Sequence, residues 1–482
     1  MFFKLSIRKC MRKTLLLNCL LFAFFATSLN AEFSVSENNI ESEKKEIRSL
    51  IVQFRTGSNK EANIEILKKG KSAVPILVEL LEDGSEDAAV ILGMFGADAL
   101  EAIPSLMVYK KNFENRNRPP FMDHSRSSWF IDVALMKIGV HTKEAVPYLT
   151  QTLDVNDYMV RLYATEALRE IGPDAVYALP TLIKLTNYTN TRELAASAIE
   201  AIGPGAKDAV PALIEILCTP KASTEERAAS KALITIGVPA VPVLQDALVH
   251  ENAPEVIWSI AWVLGEIGPD AKGAVPELAY ALENKNTRTR RGVADALRKI
   301  GPSAKQALSN LTQHFNDEDP YVRVTAAAAC CAIDPNARSA AISAMIRQLE
   351  SSSGASIEVA RTLVTLGPEA EPAVPALTKK LTSSNANLRS ACTHALGSIG
   401  IPAIEAVPAL LKILDDQYVS IRVEAAESLW QIEHKVRTEV IAVLVDALKD
   451  TSITGRNAAK TLSKIGESTV PFLIEVVKKR CD

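Results

Sequence analysis

Aromatic residues are scarce in this chain of 482 residues, in which phenylalanine, tryptophan and tyrosine together make up 5%. The chain is nevertheless 48% hydrophobic, and its apolar residues are mainly alanine, leucine, isoleucine and valine. Large aromatic side chains dominate the energetics of thick cores. Their scarcity argues against one thick globular core and favours thin helical layers with small residues at the contacts. The charged fraction of 23% is ordinary and argues against wholesale disorder.

Motifs for catalysis or metal binding are also missing. The sequence contains no Cys-x-x-Cys pair, no glycine-rich phosphate loop and no Gly-x-Ser-x-Gly nucleophile motif. Its six histidines are dispersed along the chain, at His124, His141, His250, His314, His394 and His434. We therefore predict no catalytic set, no metal site and no cofactor, and we expect that the protein is not an enzyme.

The cysteines do not form a disulfide framework, because those beyond residue 31 are odd in number and widely scattered. We expect Cys218, Cys330, Cys331 and Cys392 to be buried as small hydrophobes. Cys481, next to the C-terminus, is the expected exposed thiol.

An excess of positive charge is absent. The formal net charge is −3, and five of the 54 basic residues but none of the 57 acidic ones lie in residues 1–31. Without that segment 49 basic residues face 57 acidic ones, which gives about −8. A mildly acidic chain has no general reason to bind nucleic acid, so we predict no nucleic-acid partner.

Residues 1–31 have the layout of a secretory signal peptide. Basic residues come first, an apolar run follows from Leu15 to Phe25, and small residues lead to Ala31, near which we expect cleavage. Met11 is an alternative start of the same signal. The apolar run is too short to span a bilayer comfortably. We therefore predict a secreted or periplasmic protein with no transmembrane segment in the mature chain.

One phrase recurs along the rest of the chain: Ile-Gly-Pro, a few small or charged residues, and then Ala-Val-Pro-x-Leu. From Gly268 onward its glycine position recurs every 33 residues, with Asp334 and Glu433 in two of the places. Glycine ends a helix where left-handed backbone is wanted, and the proline after it blocks continuation of the helix. The predicted structural joints are Gly172, Pro173, Gly203, Pro204, Gly268, Pro269, Gly301, Pro302, Gly367 and Pro368.

Between joints the pattern predicts two helices connected by a polar turn. The second helix carries a single apolar stripe, as with Ala164, Leu168 and Ile171. A unit of this size cannot bury its own stripe, whereas stacking on its neighbours does so. We predict a repeat solenoid over residues 71–482, preceded over residues 32–70 by a leader and N-terminal capping helices.

The proline of the first helix, the acidic turn and an arginine that opens the second helix resemble the HEAT repeat, in the short form of phycobilisome-lyase-type proteins and many bacterial secreted proteins. The arginines in question are Arg161, Arg192, Arg323, Arg389 and Arg422. The resemblance covers roughly residues 60–480. It implies an all-α fold, a right-handed α-solenoid of about twelve HEAT-like two-helix repeats with a period near 33 residues. It is specific for fold and unspecific for function.

Some HEAT-like proteins are enzymes, and the resemblance leaves two such alternatives open: a bilin lyase and a metal-dependent hydroxylase or oxidoreductase. Hydroxylases of this type use paired His-Glu motifs on the helices. Here only His250-Glu251 shows the dipeptide, and it falls at a helix end. The signal peptide argues against a cytosolic chromophore as the substrate.

One interval breaks the period, because 43 residues separate Gly96 from Gly139. The excess lies in a basic insert loop at about residues 110–127 of an otherwise acidic chain. Insertions in a solenoid fall in loops on one face, often the binding face. The alternative is a long turn packed against neighbouring helices. Candidate partner-binding residues here are Arg116, Arg118, Phe121 and Trp129.

A second candidate group lies on the second helices. Trp258 and Trp262 fall off the apolar stripe, and Arg290 and Arg291 follow one unit later. In HEAT-like solenoids the second helices line the concave surface, so the resemblance places these four residues in the groove. Exposed tryptophan and arginine are typical binding anchors. Alternatively, the tryptophans cover the seam between units and the arginines pair with carboxylates of the turns.

These observations favour a non-enzymatic protein-binding scaffold of the cell envelope or exterior, which engages a protein or peptide through its concave surface. A glycan-binding solenoid is a further alternative that rests on Trp129, Trp258 and Trp262. We interpret the arginine that opens the second helix as structural, because a residue present in nearly every unit suits a turn-fixing pair with a neighbouring aspartate.

Overall fold

The structure is a computed structural model. It describes residues 37–57, 61–114, 131, 133–135, 137–138, 143–154, 158–218, 223–251, 253–351 and 354–474. These residues form α-helices, 3₁₀-helices and connecting turns, and no strand occurs within these ranges. The predicted signal peptide, most of the insert loop and Cys481 lie outside them.

The chain forms two compact units that divide between Ile138 and Gly139. The division falls after the insert loop and not at residue 70, where the solenoid was expected to begin. The helices of the first unit are α1 (Glu37–Thr56), α2 (Ala62–Lys68), α3 (Ala73–Glu82), α4 (Glu86–Phe95) and α5 (Ile103–Glu114). Helix α1 lies in the segment predicted to hold the leader and the N-terminal capping helices, and it buries Ile47, Leu50 and Ile51 at helical spacing.

The second unit contains ten helix pairs among its described residues. The first helices of the pairs are α6 (Val146–Thr152), α8 (Leu179–Leu185), α10 (Val210–Leu217), α12 (Val241–His250), α14 (Val275–Ala281), α16 (Leu308–Gln313), α18 (Arg338–Glu350), α20 (Val374–Lys380), α22 (Val407–Ile413) and α24 (Thr438–Ala447). The second helices are α7 (Tyr158–Ile171), α9 (Arg192–Ile202), α11 (Ser223–Ile236), α13 (Pro254–Ile267), α15 (Thr287–Ile300), α17 (Pro320–Ile333), α19 (Ser356–Leu366), α21 (Ala386–Ile399), α23 (Val419–Glu433) and α25 (Ile453–Ile465).

The joints between pairs confirm the role predicted for the recurring phrase. Gly268 ends α13 with φ 75° and ψ −140°, and a 3₁₀-helix over Gly268–Ala274 leads directly into α14. This conformation is not the left-handed helical cap that we expected, but a mirror-image extended one that glycine alone adopts readily. At the joint where Asp334 stands in place of glycine, the backbone is extended, and the Asp334 carboxylate accepts a hydrogen bond from the amide of Asn336.

The core of the second unit consists of the stacked apolar stripes. In α15, Val293, Ala294 and Leu297 are buried, and the preceding first helix, α14, buries Val275 and Leu278. Neighbouring second helices make the most extensive contacts, as α15 does with α13 and α17. Each fully buried aliphatic side chain contributes about 1.5–3 kcal/mol. Because no repeat encloses its own stripe, this stabilisation depends on the neighbouring repeats.

The arginine that opens the second helix is structural, as predicted. Arg389 of α21 donates to both carboxylate oxygens of Asp416, at 2.6 and 3.0 Å, and to the carbonyls of Ser383 and Ser384. Asp416 lies in the next polar turn, so this arginine clamp joins two successive turns. Three other predicted arginines donate elsewhere: Arg323 to the side-chain oxygen of Gln348 at 2.6 Å, and Arg192 and Arg422 to the carbonyls of Thr186 and Asp416, each at 2.8 Å.

One segment of the first unit, Glu86–Leu106, is long and apolar enough to cross a membrane. It comprises α4, a joint and the start of α5, and 50% of it is buried inside the structure.

The cysteines follow the prediction in three of four cases. Cys330, Cys331 and Cys392 are buried as expected, whereas Cys218 is exposed, so its predicted burial was wrong. Cys218 follows the last residue of α10, where the polar turn begins.

Candidate functional site

Most of the insert loop lies outside the described residues. Helix α5 extends into it as far as Glu114, and Arg116, Arg118, Phe121 and Trp129 lie outside the described residues. The prediction that these four residues contact a partner stays a prediction.

Of the other predicted group, Trp258, Trp262 and Arg291 line a groove, which we call the Trp-Arg groove, formed by the second helices α13, α15, α17 and α19. The groove has a volume of about 560 Å³. Its lining residues are Trp258, Trp262, Arg288, Arg291, Gly292, Asp295, Arg298, Val324, Thr325, Ala328, Glu358, Arg361, Thr362 and Thr365. No first helix contributes to it, as the HEAT resemblance implied.

The groove lies where two second helices are least closely packed. Helices α17 and α19 contact each other less than any other neighbouring second helices of this unit among the described residues. The residues that α17 presents there are small, namely Val324, Thr325 and Ala328. At the equivalent helix positions, α13 and α15 carry tryptophan and arginine. Large side chains therefore line the groove on the α13 and α15 side, and small ones line it on α17.

Trp258 lines the groove and also covers the seam between two repeats. It is half-buried and lies across the seam onto Gly292 of α15, where a Cβ atom would come within 2.6 Å of the indole Nε1. Glycine at 292 is therefore required for the indole to rest on the neighbouring helix. The guanidinium of Arg288 stacks over the Trp258 ring, 4.4 Å from its centroid. Trp262 is also half-buried and lines the groove one turn further along α13.

The two adjacent arginines of the prediction have different roles. Arg291 is exposed in the groove, and its guanidinium lies 5.2 Å from the ring centroid of Tyr321. Arg290 faces the polar turns instead and is buried, so its assignment as a binding residue was wrong. It occupies the arginine-clamp position, and its Nε and Nη2 atoms donate to Asp317 at 2.9 and 2.8 Å.

The carboxylate of Asp317 is the centre of a buried polar network. It accepts hydrogen bonds from Arg290 and from the amide of Asp319, and the Nδ1 of His314 lies 2.9 Å from it. Burial by itself would raise the pKa of Asp317, but the hydrogen bonds from Arg290, Asp319 and His314 outweigh it and hold the pKa below its ordinary value. This network holds the turn before α17 and takes no part in the groove.

Three groove residues of functional interest were missed by the sequence reasoning. Arg288 and Arg361 are exposed and line the groove, and Arg298 lines it ten residues after Arg288 on α15. Arg288 carries a signal that could have been used, since it precedes Arg291 by three residues and so shares its helix face. Arg361 lies at the slot of Trp262, three repeats later, and only a comparison of slots across repeats would have revealed it.

Three arginines of the groove have no counter-ion among the residues that the structure describes. Arg288, Arg291 and Arg361 form no ion pair with any residue that the structure describes. By contrast, Arg298 is bound to Asp295, with 2.8 Å between Nη2 and Oδ1. The chain as a whole has a net charge of −3, so the local excess of arginine opposes the global balance.

The groove has the chemistry of a binding surface. Guanidinium groups, threonine hydroxyls and indole edges can hold carboxylates, amides and apolar side chains. Among the described residues, no three His, Cys, Asp or Glu side chains are grouped so that they could hold a metal ion.

Three comparisons place this geometry among known proteins. The family model described as HEAT repeats matches residues 241–331, 342–429 and 407–482. The uncharacterized protein SkfG of Bacillus subtilis (strain 168) is 30% identical over 147 residues, which is 29% of this chain and 77% of that protein.

Two solved structures share the fold at low identity. Kap121p bound to Nup53p has a TM-score of 0.59 and 15% identity, and the match covers 92% of this chain and 55% of that one. Kap121p bound to the extreme C-terminus of the phosphatase Cdc14p has a TM-score of 0.55 and 14% identity over 92% of this chain and 59% of that one. This chain thus spans little more than half the length of the karyopherin. The repeat matches make this chain a member of the HEAT-repeat family, and the karyopherin structures share its fold.

Proposed function

We propose that this protein is a non-enzymatic scaffold that binds a protein partner in the Trp-Arg groove. The observation that carries the proposal is a groove that holds two half-buried tryptophans on α13 and three arginines on α15 and α19 that form no ion pair with any described residue. By contrast, the buried arginines Arg290 and Arg389, which hold the polar turns, have their charges matched by aspartates. Unpaired charge in a groove is typical of a surface that binds a partner of complementary charge.

The similar solved structures support a protein partner. Kap121p, which has the same fold, binds the C-terminus of Cdc14p in one structure and Nup53p in the other. A stack of repeats offers an extended surface, and many weak contacts with a few anchors then give affinity. We further propose that the protein acts outside the cytoplasm, in the periplasm or beyond the cell, a location supported by the signal-like residues 1–31.

The glycan alternative is less well supported by this groove. Sugar rings stack on an open aromatic face, whereas the Trp258 ring already carries Arg288 on it and rests on Gly292. The enzyme alternatives predict bound pigment or metal, so an absorbance spectrum and elemental analysis of the purified protein would reveal either one.

Site-specific photo-crosslinking tests the proposal. A photoreactive amino acid replaces Thr325 or Thr365, which line the groove, and in control variants it replaces Ser309 or Ser343, which lie on the first helices α16 and α18. Each variant is expressed in the native host and irradiated. We expect one discrete protein adduct from the groove positions and none from the controls. Adducts from the controls alone, or metal-dependent turnover by the purified protein, would refute the proposal.

A further inference from the structure

We propose that the Trp-Arg groove recognises an extended acidic peptide segment, whose carboxylates are held by Arg288, Arg291 and Arg361. This inference rests on the proposed function and specifies the chemistry of the partner. All three guanidinium groups are exposed, line one groove and lack an ion-pair partner among the residues that the structure describes.

The guanidinium groups of two of these arginines are held ready for carboxylates. Arg288 lies 4.4 Å from the centroid of Trp258, and Arg291 lies 5.2 Å from that of Tyr321. A guanidinium that rests with its face on a ring keeps its N–H donors in its own plane, where they can form a bidentate pair with a carboxylate. The aromatic contacts reduce the rotamer freedom that binding would otherwise cost.

The dimensions of the groove suit an extended chain. The first two arginines lie on α15 and Arg361 lies on α19, two layers away. Layers of packed helices are about 8–10 Å apart, so the arginines span roughly 16–20 Å. An extended chain advances about 3.3–3.6 Å per residue, and a segment of about six residues covers that distance. Thr325, Thr362 and Thr365 lie along the way, and their hydroxyls can bond to backbone amides of such a segment.

The charges of the groove favour a peptide over a polyanion. Asp295 and Glu358 line the same groove as the arginines, and a nucleic acid or a sulfated polysaccharide would bring uniform negative charge against them. A polypeptide carries N–H donors as well as carboxylates and can satisfy both signs. The acidic charge of the rest of the chain adds repulsion at longer range.

The test is a titration of the whole mature protein with a labelled hexapeptide of alternating Glu and Ser, followed by fluorescence anisotropy. The same peptide with Gln in place of Glu is the ligand control. Protein variants are Arg291→Glu and Arg361→Glu, and the matched control is Arg347→Glu, an exposed arginine on the first helix α18. Because the two groove arginines are exposed and lack ion pairs, their replacement is expected to leave the fold and its far-UV circular dichroism unchanged.

We expect each groove variant to bind the acidic peptide about tenfold or more weakly, as loss of one charged hydrogen-bonded contact implies. The Arg347→Glu variant should bind like the wild type, and the Gln peptide should bind weakly to every protein. Equal binding by all variants, or equal binding of the two peptides, would overturn the inference. Tighter binding of single-stranded DNA or heparin, in competition with the peptide, would overturn it as well.

The photo-crosslinking result separates this inference from the proposed function. If Thr325 and Thr365 capture a partner while the acidic peptide fails to bind, the scaffold function stands and the acidic specificity is wrong. If the groove positions capture no partner, the scaffold function itself is wrong.

Discussion

Single glycines decide both the joints and the groove. Gly268 is needed for its backbone, because φ 75° with ψ −140° is strained for any side chain. Gly292 is needed for its empty space, because the indole of Trp258 occupies the volume where a Cβ would lie. The first role follows from the repeated phrase, whereas the second belongs to one repeat and shapes the binding surface.

Replacing Gly292 with alanine should displace Trp258. Glycine to alanine inside a helix ordinarily stabilises it by about 1 kcal/mol, but here the new methyl group would press against a rigid indole. We expect a red shift of the tryptophan emission and no gain in stability. The control is Gly273→Ala, where the nearest atom to the new Cβ is 3.8 Å away. An unchanged emission spectrum in the Gly292→Ala variant would contradict the packing described for Trp258.

Glu424 is a carboxyl group that is largely removed from solvent in the folded chain. Burial raises the pKa of this carboxyl, and it outweighs the hydrogen bond from Ser390 and the charge of His394, which lower it. Its Oε2 has no hydrogen-bond partner among the described residues. The folded state therefore disfavours the charged form of Glu424, and protonation relieves the cost of its desolvation.

Replacing Glu424 with glutamine should stabilise the protein at pH 7, as measured by urea denaturation. Because the folded pKa is raised above the ordinary value of 4.5, the gain should shrink as the pH falls through the folded pKa. Glu427→Gln is the matched control, since that carboxylate binds Lys464 at 2.6 Å and its loss should cost up to about 1 kcal/mol. A destabilised Glu424→Gln variant at pH 7 would show that the carboxylate is needed in its charged form.

At the scale of elements, the arginine clamps connect successive repeats. Arg389 and Asp416 are both nearly buried, with side chains 10% and 5% exposed, and the pair joins the turn before α21 to the turn before α23. The bidentate bond from Arg389 holds the pKa of Asp416 below its ordinary value, against the opposing effect of burial. The clamp thus fixes the register between layers that are otherwise held by apolar contact.

Truncating Asp416 to alanine should cost about 3–5 kcal/mol, because it leaves the arginine buried without its partner. Asp415→Ala, at the exposed neighbouring position, should change stability by no more than about 0.5 kcal/mol. Urea denaturation measures the free energy of unfolding of both variants. An equal loss of stability in the two would refute the structural role of the clamp.

The same clamp predicts a dependence on pH. The pKa of Asp416 is lower in the folded chain than its ordinary value of 3.8, so the contribution of the pair is complete above that value. It is lost as the pH falls through the folded pKa. An Asp416→Asn variant should therefore have a flatter stability profile than the wild type below about pH 4.

At the scale of the whole molecule, the sequence predicts the stack well and the groove in part. The 33-residue spacing of glycine and proline is a strong signal, since each joint needs a special backbone, and the structure confirms the joints at Gly203, Gly268 and Gly301. Trp258 and Trp262 are recognisable because they are bulky and fall off the apolar stripe of their helix. The structure places both in the groove formed by second helices.

The rest could not be read from the sequence for physical reasons. Arg290 and Arg291 are adjacent, and about 100° of helical rotation separates their side chains. An error of one residue in the predicted helix face therefore decides whether an arginine is assigned to the buried clamp or to the groove. The packing of Trp258 on Gly292 joins residues 34 positions apart and depends on how the two layers meet. The repeat pattern also does not show that α17 and α19 pack less closely than other second helices, because the interval between them keeps the 33-residue period.

The central claim is that recognition occurs on the second helices around the Trp-Arg groove, and hydrogen–deuterium exchange of the mature protein with and without its crosslinked partner tests it most directly. We predict slower amide exchange in α15, α17 and α19 on binding, and unchanged exchange in the first helices α14, α16 and α18. Protection confined to the first helices, or to the unit that ends at Ile138, would contradict the claim.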